Sequence, residues 1–574
     1  MSSFSSSSRS DSPRLSPQGS ITNHITTSTV VGAVRHAHYM GLSGPALRTA
    51  IGLTAGMSFL AFGYGQGDIG GIMLVDNFRE MFPQMDARTT PTLPVATLAG
   101  VVVGSWNLGC LAGAVFTFFL CNLLGRKGCI IVGLSIEVIG KIIQCSAFTL
   151  GQYIAGRVVA GVGNGFIAST IPAWQAECLK THRRGTLLLV SFGSCITLGL
   201  ALSYWLTYGF SWIHTLSVSW RFPVAFSILL ILPALLMIVF LPESPRYLLL
   251  CGKEAEALNV LSALEELPPD HEDIRREVLL IKNTVLRLAS GSSVGGLFSM
   301  GKERHLHRVV LAIMLQIFQQ FTGINLFVQF LGSMFANQLM YPVQLGLLLA
   351  ACCGTWFFLS SVFAVIGIDR YFGRRTLTIF GASGMFVCMV LLCILAYLGT
   401  PASHHAMSAF LFAYTAFFSV GWQGMSWLWA VELIPLSIRG PANALSTAVN
   451  WLANFCVVIT CPVMFTNITW RTYVTYAVIN FLIVPAIYFF YPETGSRSLE
   501  EVDLLFESAA AEGNPWFSVV KVAKREPRWF DHEGEKTEGY SSNGTTDPSS
   551  NDPSSINEKP KPYGPLRSGQ SDDQ

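Results

Sequence analysis

The chain has 574 residues, 51% of them hydrophobic and only 13% charged, about half the charged share of an ordinary soluble domain (about 25%). So much apolar side chain cannot be wetted by so little charge, which excludes a soluble globular protein and points to lipid as the solvent. A net charge of +2 gives no argument for a nucleic-acid partner.

The first 46 residues are rich in Ser and Thr and too polar to bury, so 1–46 reads as a disordered cytoplasmic tail with no cleavable signal peptide. A spanning helix needs about 20 mostly apolar residues. Runs of that kind fall near 48–72, 95–120, 129–148, 152–174, 186–208 and 222–241, which makes 47–241 a six-helix bundle. The polar segment 242–307 follows. It contains EALNVLSALEEL and EDIRREVLLIKNTVLRL, whose apolar residues recur at helical spacing and predict short amphipathic helices. A second set of runs lies near 308–331, 345–368, 376–399, 407–431, 441–466 and 471–491, so 308–506 is the second bundle with a closing segment. The remainder, 507–574, ends in Ser, Asn, Asp, Pro and Lys and predicts a mostly disordered tail.

Basic residues set the orientation. Arg126 and Lys127, Lys180 with Arg183 and Arg184, Arg370 with Arg374 and Arg375, and Arg439 share one set of loops, whereas the alternate loops hold Arg79, Arg88, Arg221 and Arg471. The first set and both termini are therefore expected in the cytoplasm. The thirteen cysteines are scattered, mostly in apolar runs and without metal-ligand spacing, so they read as small packing residues. No Gly-rich phosphate loop, metal cluster or nucleophile motif appears. Neither catalytic residues nor a cofactor are expected, and the chain is not predicted to be an enzyme.

The two halves echo each other. Trp174, Glu177, Arg184 and Gly185 match Trp429, Glu432, Arg439 and Gly440 at an offset of 255; Gly125-Arg126-Lys127 matches Gly373-Arg374-Arg375 at 248; Pro242-Glu243 matches Pro492-Glu493 at 250. Two similar bundles can rock about a midplane cavity. The charged residues at the cytoplasmic helix ends would then form ion pairs that hold one state closed. The candidates are Arg126, Glu177, Arg184, Glu243 and Arg246 in the first half, and Asp369, Arg374, Glu432, Arg439 and Glu493 in the second.

These residues resemble the sugar porter family of the major facilitator superfamily over about Leu47 to Phe506. Gly156-Arg157 with Gly161, Gly163 and Gly165 looks like its helix 4 signature, and Pro242-Glu243-Ser244-Pro245-Arg246 is similar to its PESPR. Gln319-Gln320-x-x-Gly323-x-Asn325 resembles its helix 7 motif, Asp369-Arg370-x-x-Gly373-Arg374-Arg375 its helix 8–9 loop, and Pro492-Glu493-Thr494 its closing PET. The surrounding wording looks most like filamentous-fungal sugar and polyol transporters. The resemblance implies an all-α membrane fold of twelve transmembrane helices in two pseudo-symmetric bundles. It implies transport of a sugar, or of a related polyol, by alternating access in the plasma membrane, possible proton symport, and a monomer.

It also implies a substrate site. Side-chain amides donate and accept like a sugar hydroxyl, and Gln319, Gln320 and Asn325 are costly facing lipid. Trp427 matches a cavity tryptophan, and Asn450 and Trp451 a binding pair in helix 11. Several positions depart from the pattern. Proton-coupled relatives carry Asp where Gly65 stands, paired with the Arg matching Arg157; here Asp68 is the nearest acid, one turn on, and is the expected partner and proton carrier. Glu137 and Lys141, four apart in helix 3, are expected to neutralise each other. The usual helix 5 Gln falls at Phe192 or Gly193, the tyrosine pair after Asn325 reads Gln329-Phe330, and the first-loop Asp-Arg reads Asn122-Leu123. The lost amide leaves polyols, pentoses and non-sugar solutes such as glycerol or quinate open as substrates, with a sugar-sensing receptor as the other alternative.

Overall fold

The computed structural model describes residues 38–85, 92–179, 190–214, 216–291, 297–301, 303–367, 372–435, 438–495, 497, 499–512 and 515–528. Six long helices make up the first half: α1 Gly44–Ile72, α2 Leu93–Cys121, α3 Leu123–Cys145, α4 Leu150–Cys178, α5 Val190–Phe210 and α6 Val218–Phe240. The second half repeats the pattern with α7 His305–Gln338, α8 Val343–Gly367, α9 Arg374–Leu398, α10 from Pro401 to Leu433, α11 Arg439–Ile468 and α12 Arg471–Phe490. Among the described residues, eleven helices are long and apolar enough to cross a membrane. The remaining one, α10, is broken into Pro401–Phe418, a π turn Ser419–Gln423 and Met425–Leu433. Each helix lies within several residues of its expected run. Residues 186–189 of the expected fifth run lie outside the described residues.

Sequence chemistry explains where the helices begin and bend. Proline occupies the first turn of α1, α2 and α10, where its missing N–H costs nothing. Between α2 and α3 the chain turns at Gly125, whose φ is +78° and where a Cβ would lie 2.4 Å from the Glu243 carboxylate. Only glycine satisfies both constraints. In α7 the helix breaks at Gly323, φ +95°. The Thr322 carbonyl beside that break accepts from the Tyr414 hydroxyl at 2.8 Å and the Asn480 amide at 2.9 Å, as buried backbone in lipid requires.

Glycines also set the packing of the first half. A Cβ at Gly161 or Gly165 of α4 would fall 2.2 or 2.3 Å from α2 carbonyls, and one at Gly163 would fall 2.5 Å from the Glu137 nitrogen of α3. The helix is thus clasped on two faces by close backbone approach, with Arg157 and Glu137 carried inside. Across the halves, α2 packs on α11, α5 on α8, and α1 on the second part of α7. A polar cavity lies between these contacts.

The segment between the halves forms helices Pro245–Leu250, Glu254–Glu265 and Glu272–Gly291, the latter two at the expected amphipathic sequences. Beyond α12 the structure departs from the expected tail. Helix α13, Leu499–Ala511, runs through Phe506, and α14, Pro515–Arg525, follows it. Both dock on the start of α7. Arg308 of α7 pairs with Asp503 at 2.5 Å while donating to the Leu433 carbonyl at 2.6 Å, and the His307 ring sits 3.9 Å from that of Trp516. Apolar positions at helical spacing after Phe506 carried this signal; the polar end of the tail masked it. Residues 1–37 and 529–574, where disordered tails are expected, lie outside the described residues.

Candidate functional site

Three linked groups of polar side chains lie inside this apolar bundle. The central one borders a cavity of about 40 Å³ lined from both halves, with Phe62, Gln66, Thr197 and Leu200 on one side and Gln319, Gln320, Asn325, Asn450 and Asn454 on the other. All six sequence-predicted binding residues line it, including Trp427 and Trp451. The break in α7 brings Gln320 and Asn325 round to each other. Gln320 donates to Asn450 at 2.7 Å and accepts from Asn325 at 2.7 Å. Longer bonds of 3.4 Å run from Gln329 to Asn325 and Asn454, and Asn107 of α2 donates to Asn454 at 2.9 Å. Gln319 is turned toward the Trp422 and Gln423 carbonyls of the α10 π turn at 3.4 Å.

Aromatic rings close the cavity walls. Phe192 stacks on Trp427 at 5.3 Å and 15°, and the Phe192 carbonyl accepts from Gln423 at 3.4 Å, so α5 and α10 meet at this point. Trp451 stands edge-on to Trp106 at 5.6 Å, and its indole N–H has no partner among the described residues. Beyond the cavity in the other direction, Gly70 and Gly332 bring α1 and α7 into backbone contact; a Cβ at Gly332 would lie 3.0 Å from the Gly70 carbonyl. The amides are concentrated in the second half. Gln66 and Thr197 are the first half's polar side chains on the cavity wall.

The second group is a buried charge cluster in the first half. Asp68 lies 2.7 Å from the Lys141 amine and 3.4 Å from Arg157, and all three side chains are at most 1% exposed. Arg157 also donates to the Val103 carbonyl at 3.2 Å. A Cβ at Gly65 would stand 3.3 Å from Lys141 Nζ, so the amine occupies the space beside that glycine. Asp68 and Arg157 are thus brought together, with Lys141 as a third member. The expected Glu137–Lys141 neutralisation is not the arrangement found. The lysine reaches across to α1, where a carboxylate already faces Arg157, and both Glu137 oxygens are buried without a partner among the described residues.

The third group joins helix ends at the Arg-rich face. Arg126 pairs with Glu177 at 3.2 Å; the Glu243 carboxylate accepts from the backbone N–H of Arg126, Lys127 and Ser244; and the Ser244 hydroxyl donates to Glu177. The second half repeats this with Arg374 on Glu432 at 2.9 Å, Glu493 accepting from the N–H of Arg374, Arg375 and Gly495, and Thr494 donating to Glu432 at 2.6 Å. Burial raises the Glu243 pKa above the usual carboxylate value, opposed by those backbone N–H groups and by Arg126. Each cluster is confined to its own half. Arg439 donates to the Ile434 carbonyl at 3.1 Å, Arg246 lies half-buried in the first turn of its short helix, and Arg184 and Asp369 lie outside the described residues. Sequence reasoning did not select Asn107, Asn454, Gln66 or Gln423 as site residues. Asn454 could have been found by its spacing, one turn after Asn450.

Comparison with known proteins agrees with this arrangement. Residues 51–506 match the family model described as "Sugar (and other) transporter". The chain is 34% identical over 500 residues to the sugar transporter STL1 of Saccharomyces cerevisiae, with 86% of each chain covered. It is 29% identical to the hexose transporter HXT13 of the same yeast, over 83% of this chain and 85% of that one. Among solved structures, it is similar to an inward-open form of the xylose transporter XylE from E. coli, with TM-score 0.64 and 26% identity over 80% of this chain and 99% of that chain. A structure of XylE described as a proton:xylose symporter and bound to 6-bromo-6-deoxy-D-glucose matches with TM-score 0.67 and 25% identity, covering 80% and 98%.

Proposed function

We propose, from the premise that this chain belongs to the sugar transporter family of the major facilitator superfamily, that it carries a small polyhydroxylated solute, a sugar or polyol, through the amide-lined cavity by alternating access. It is a multi-pass membrane protein and not an enzyme. The observation that carries the substrate class is the chain of amides Asn325–Gln320–Asn450, buried between the halves with bonds of 2.7 Å. Each amide donates and accepts, so a ligand hydroxyl can replace either partner without leaving a buried group unpaired. Trp427 and Trp451 supply flat apolar faces for the C–H side of such a solute.

The same reading extends to the cycle. Contacts at Phe192–Trp427 on one side of the cavity and at Gly70–Gly332 on the other are the two closures that a rocking pair of bundles would open in turn. The Arg126–Glu177 and Arg374–Glu432 clusters keep each half rigid at the basic face, which by the distribution of Arg and Lys is cytoplasmic. The buried Asp68–Lys141–Arg157 group supports proton coupling, since intramembrane ionisable clusters mark ion pathways. The plasma membrane, cytoplasmic termini and a monomeric state complete the proposal.

The test is uptake of radiolabelled hexoses, pentoses and polyols by cells stripped of their own sugar porters, with and without an uncoupler. Saturable uptake abolished by the uncoupler is the expected result. Uptake that only equilibrates would make the chain a facilitator. No uptake by protein present at the cell surface would remove the sugar–polyol reading.

A further inference from the structure

We propose that Glu137, not Asp68, takes up and releases the coupled proton, with Lys141 switching between the two carboxylates. The inference rests on the transport reading above.

The argument begins with what each carboxylate touches. Asp68 holds two cations, Lys141 at 2.7 Å and Arg157 at 3.4 Å, and protonating it would strand both in the apolar interior. Glu137 is 1% exposed, and neither of its oxygens has a partner among the described residues. An unpartnered carboxylate so deep in the bundle is costly, whereas the neutral acid is tolerated. The surrounding charges push the other way. Asp68, Lys141 and Arg157 together carry one net positive charge, which a Glu137 carboxylate would cancel. The only other titratable group reported near it is the Cys110 thiol of α2. Glu137 is therefore the member of the cluster on which the two effects oppose each other. A small rearrangement then decides its protonation.

Lys141 supplies that rearrangement. It stands four residues after Glu137 on the same helix, the spacing at which side chains meet, yet its amine is drawn to Asp68 on α1. In this arrangement Glu137 holds the proton. If α1 moves relative to α3 as the bundles rock, the ammonium can exchange Asp68 for Glu137, and the Glu137 O–H then releases its proton to water on the side then open. Return of Lys141 to Asp68 restores the unpartnered carboxylate, which recovers a proton from water on the other side. One O–H bond breaks and re-forms in each cycle, and no other bond changes. Gly65 makes this possible, because a side chain there would crowd the amine.

The experiment has two arms. In the first, infrared spectra of the purified full chain in lipid nanodiscs are recorded through a pH titration, for wild type, Glu137→Gln, Glu137→Asp and Asp68→Asn. A carboxylic-acid C=O band that fades with rising pH should be lost in Glu137→Gln, shifted in Glu137→Asp, and retained at lower pH in Asp68→Asn. In the second arm, proteoliposomes are loaded under an inward proton gradient of one pH unit with labelled D-xylose and glycerol as probes. One-to-one coupling gives about tenfold accumulation, which Glu137→Gln should reduce to simple equilibration. Loss of the band in Asp68→Asn rather than Glu137→Gln would overturn the assignment, as would full accumulation by Glu137→Gln. Failure of the wild type to move either probe would count against the proposed solutes, while the infrared arm still decides the proton site.

Discussion

Gln320 and Asn450 sit 130 residues apart in sequence and meet at 2.7 Å in the cavity wall, where Gln320 also accepts from Asn325. The site is thus pre-assembled from α7 and α11 before any solute enters. Truncating Asn450 to Ala leaves the Gln320 amide short of an acceptor, at about 1–3 kcal/mol. The expected outcome is a KM raised about tenfold to a hundredfold with normal protein at the surface. Initial-rate uptake over a range of solute concentrations measures it.

Helices α1 and α5 touch backbone to backbone. A Cβ at Gly63 would lie 1.9 Å from the Ile196 carbonyl, and one at Gly199 would lie 2.0 Å from that of Leu60. Gly63→Ala and Gly199→Ala must therefore push the helices apart, which costs about 1–3 kcal/mol for overpacking. At Gly52 of the same α1 a Cβ meets nothing within 4 Å, and Gly52→Ala should leave stability unchanged or raised. Thermal unfolding midpoints of the three purified variants decide the matter.

Much of this was legible in the sequence because apolar runs, basic loops and internal repeats are local signals. The helices fall where their runs predict, and the Trp-x-x-Glu repeat reappears as two equivalent clusters around Glu177 and Glu432. The cavity amides were legible too, since an amide in lipid needs a partner whatever the fold. Partner choice was not. Glu137 and Lys141 look like a pair from their spacing, but the amine finds a carboxylate on another helix that sequence spacing cannot place. The docking of α13 and α14 on His307 and Arg308 was hidden for a similar reason. It depends on a surface formed by helices far apart in the chain.

The two gate clusters are alike in connectivity and unlike in quality. Arg374 grips Glu432 with two nitrogens, at 2.9 and 3.2 Å, and is 6% exposed. Arg126 is 15% exposed, and its hydrogen bond to Glu177 is a single one of 3.4 Å. A bidentate, more buried guanidinium loses more when its partner is neutralised. Glu432→Gln should therefore slow transport more than Glu177→Gln. The difference should fall within the 1.5–3 kcal/mol typical of a hydrogen bond to a charged group. Comparing turnover rates of the two variants at equal surface density checks this, and equal effects would contradict it.

The cavity's poverty of amides on the first half is open to direct test at Gly193. This residue is buried, a Cβ there would meet nothing within 4 Å, and it lies one turn before Thr197, which lines the cavity. Gly193→Gln should consequently be accommodated and should bring a donor–acceptor group to the wall that now offers Gln66 and Thr197. A ring sugar presents hydroxyls on both edges, and a short polyol can be satisfied from one side alone. The variant should therefore gain affinity for hexoses relative to short polyols by about fivefold or more, the worth of one hydrogen bond of about 1 kcal/mol. Competition between labelled hexose and unlabelled polyol in the same uptake assay measures the ratio. An unchanged ratio would mean that the first half does not contact the solute at this position.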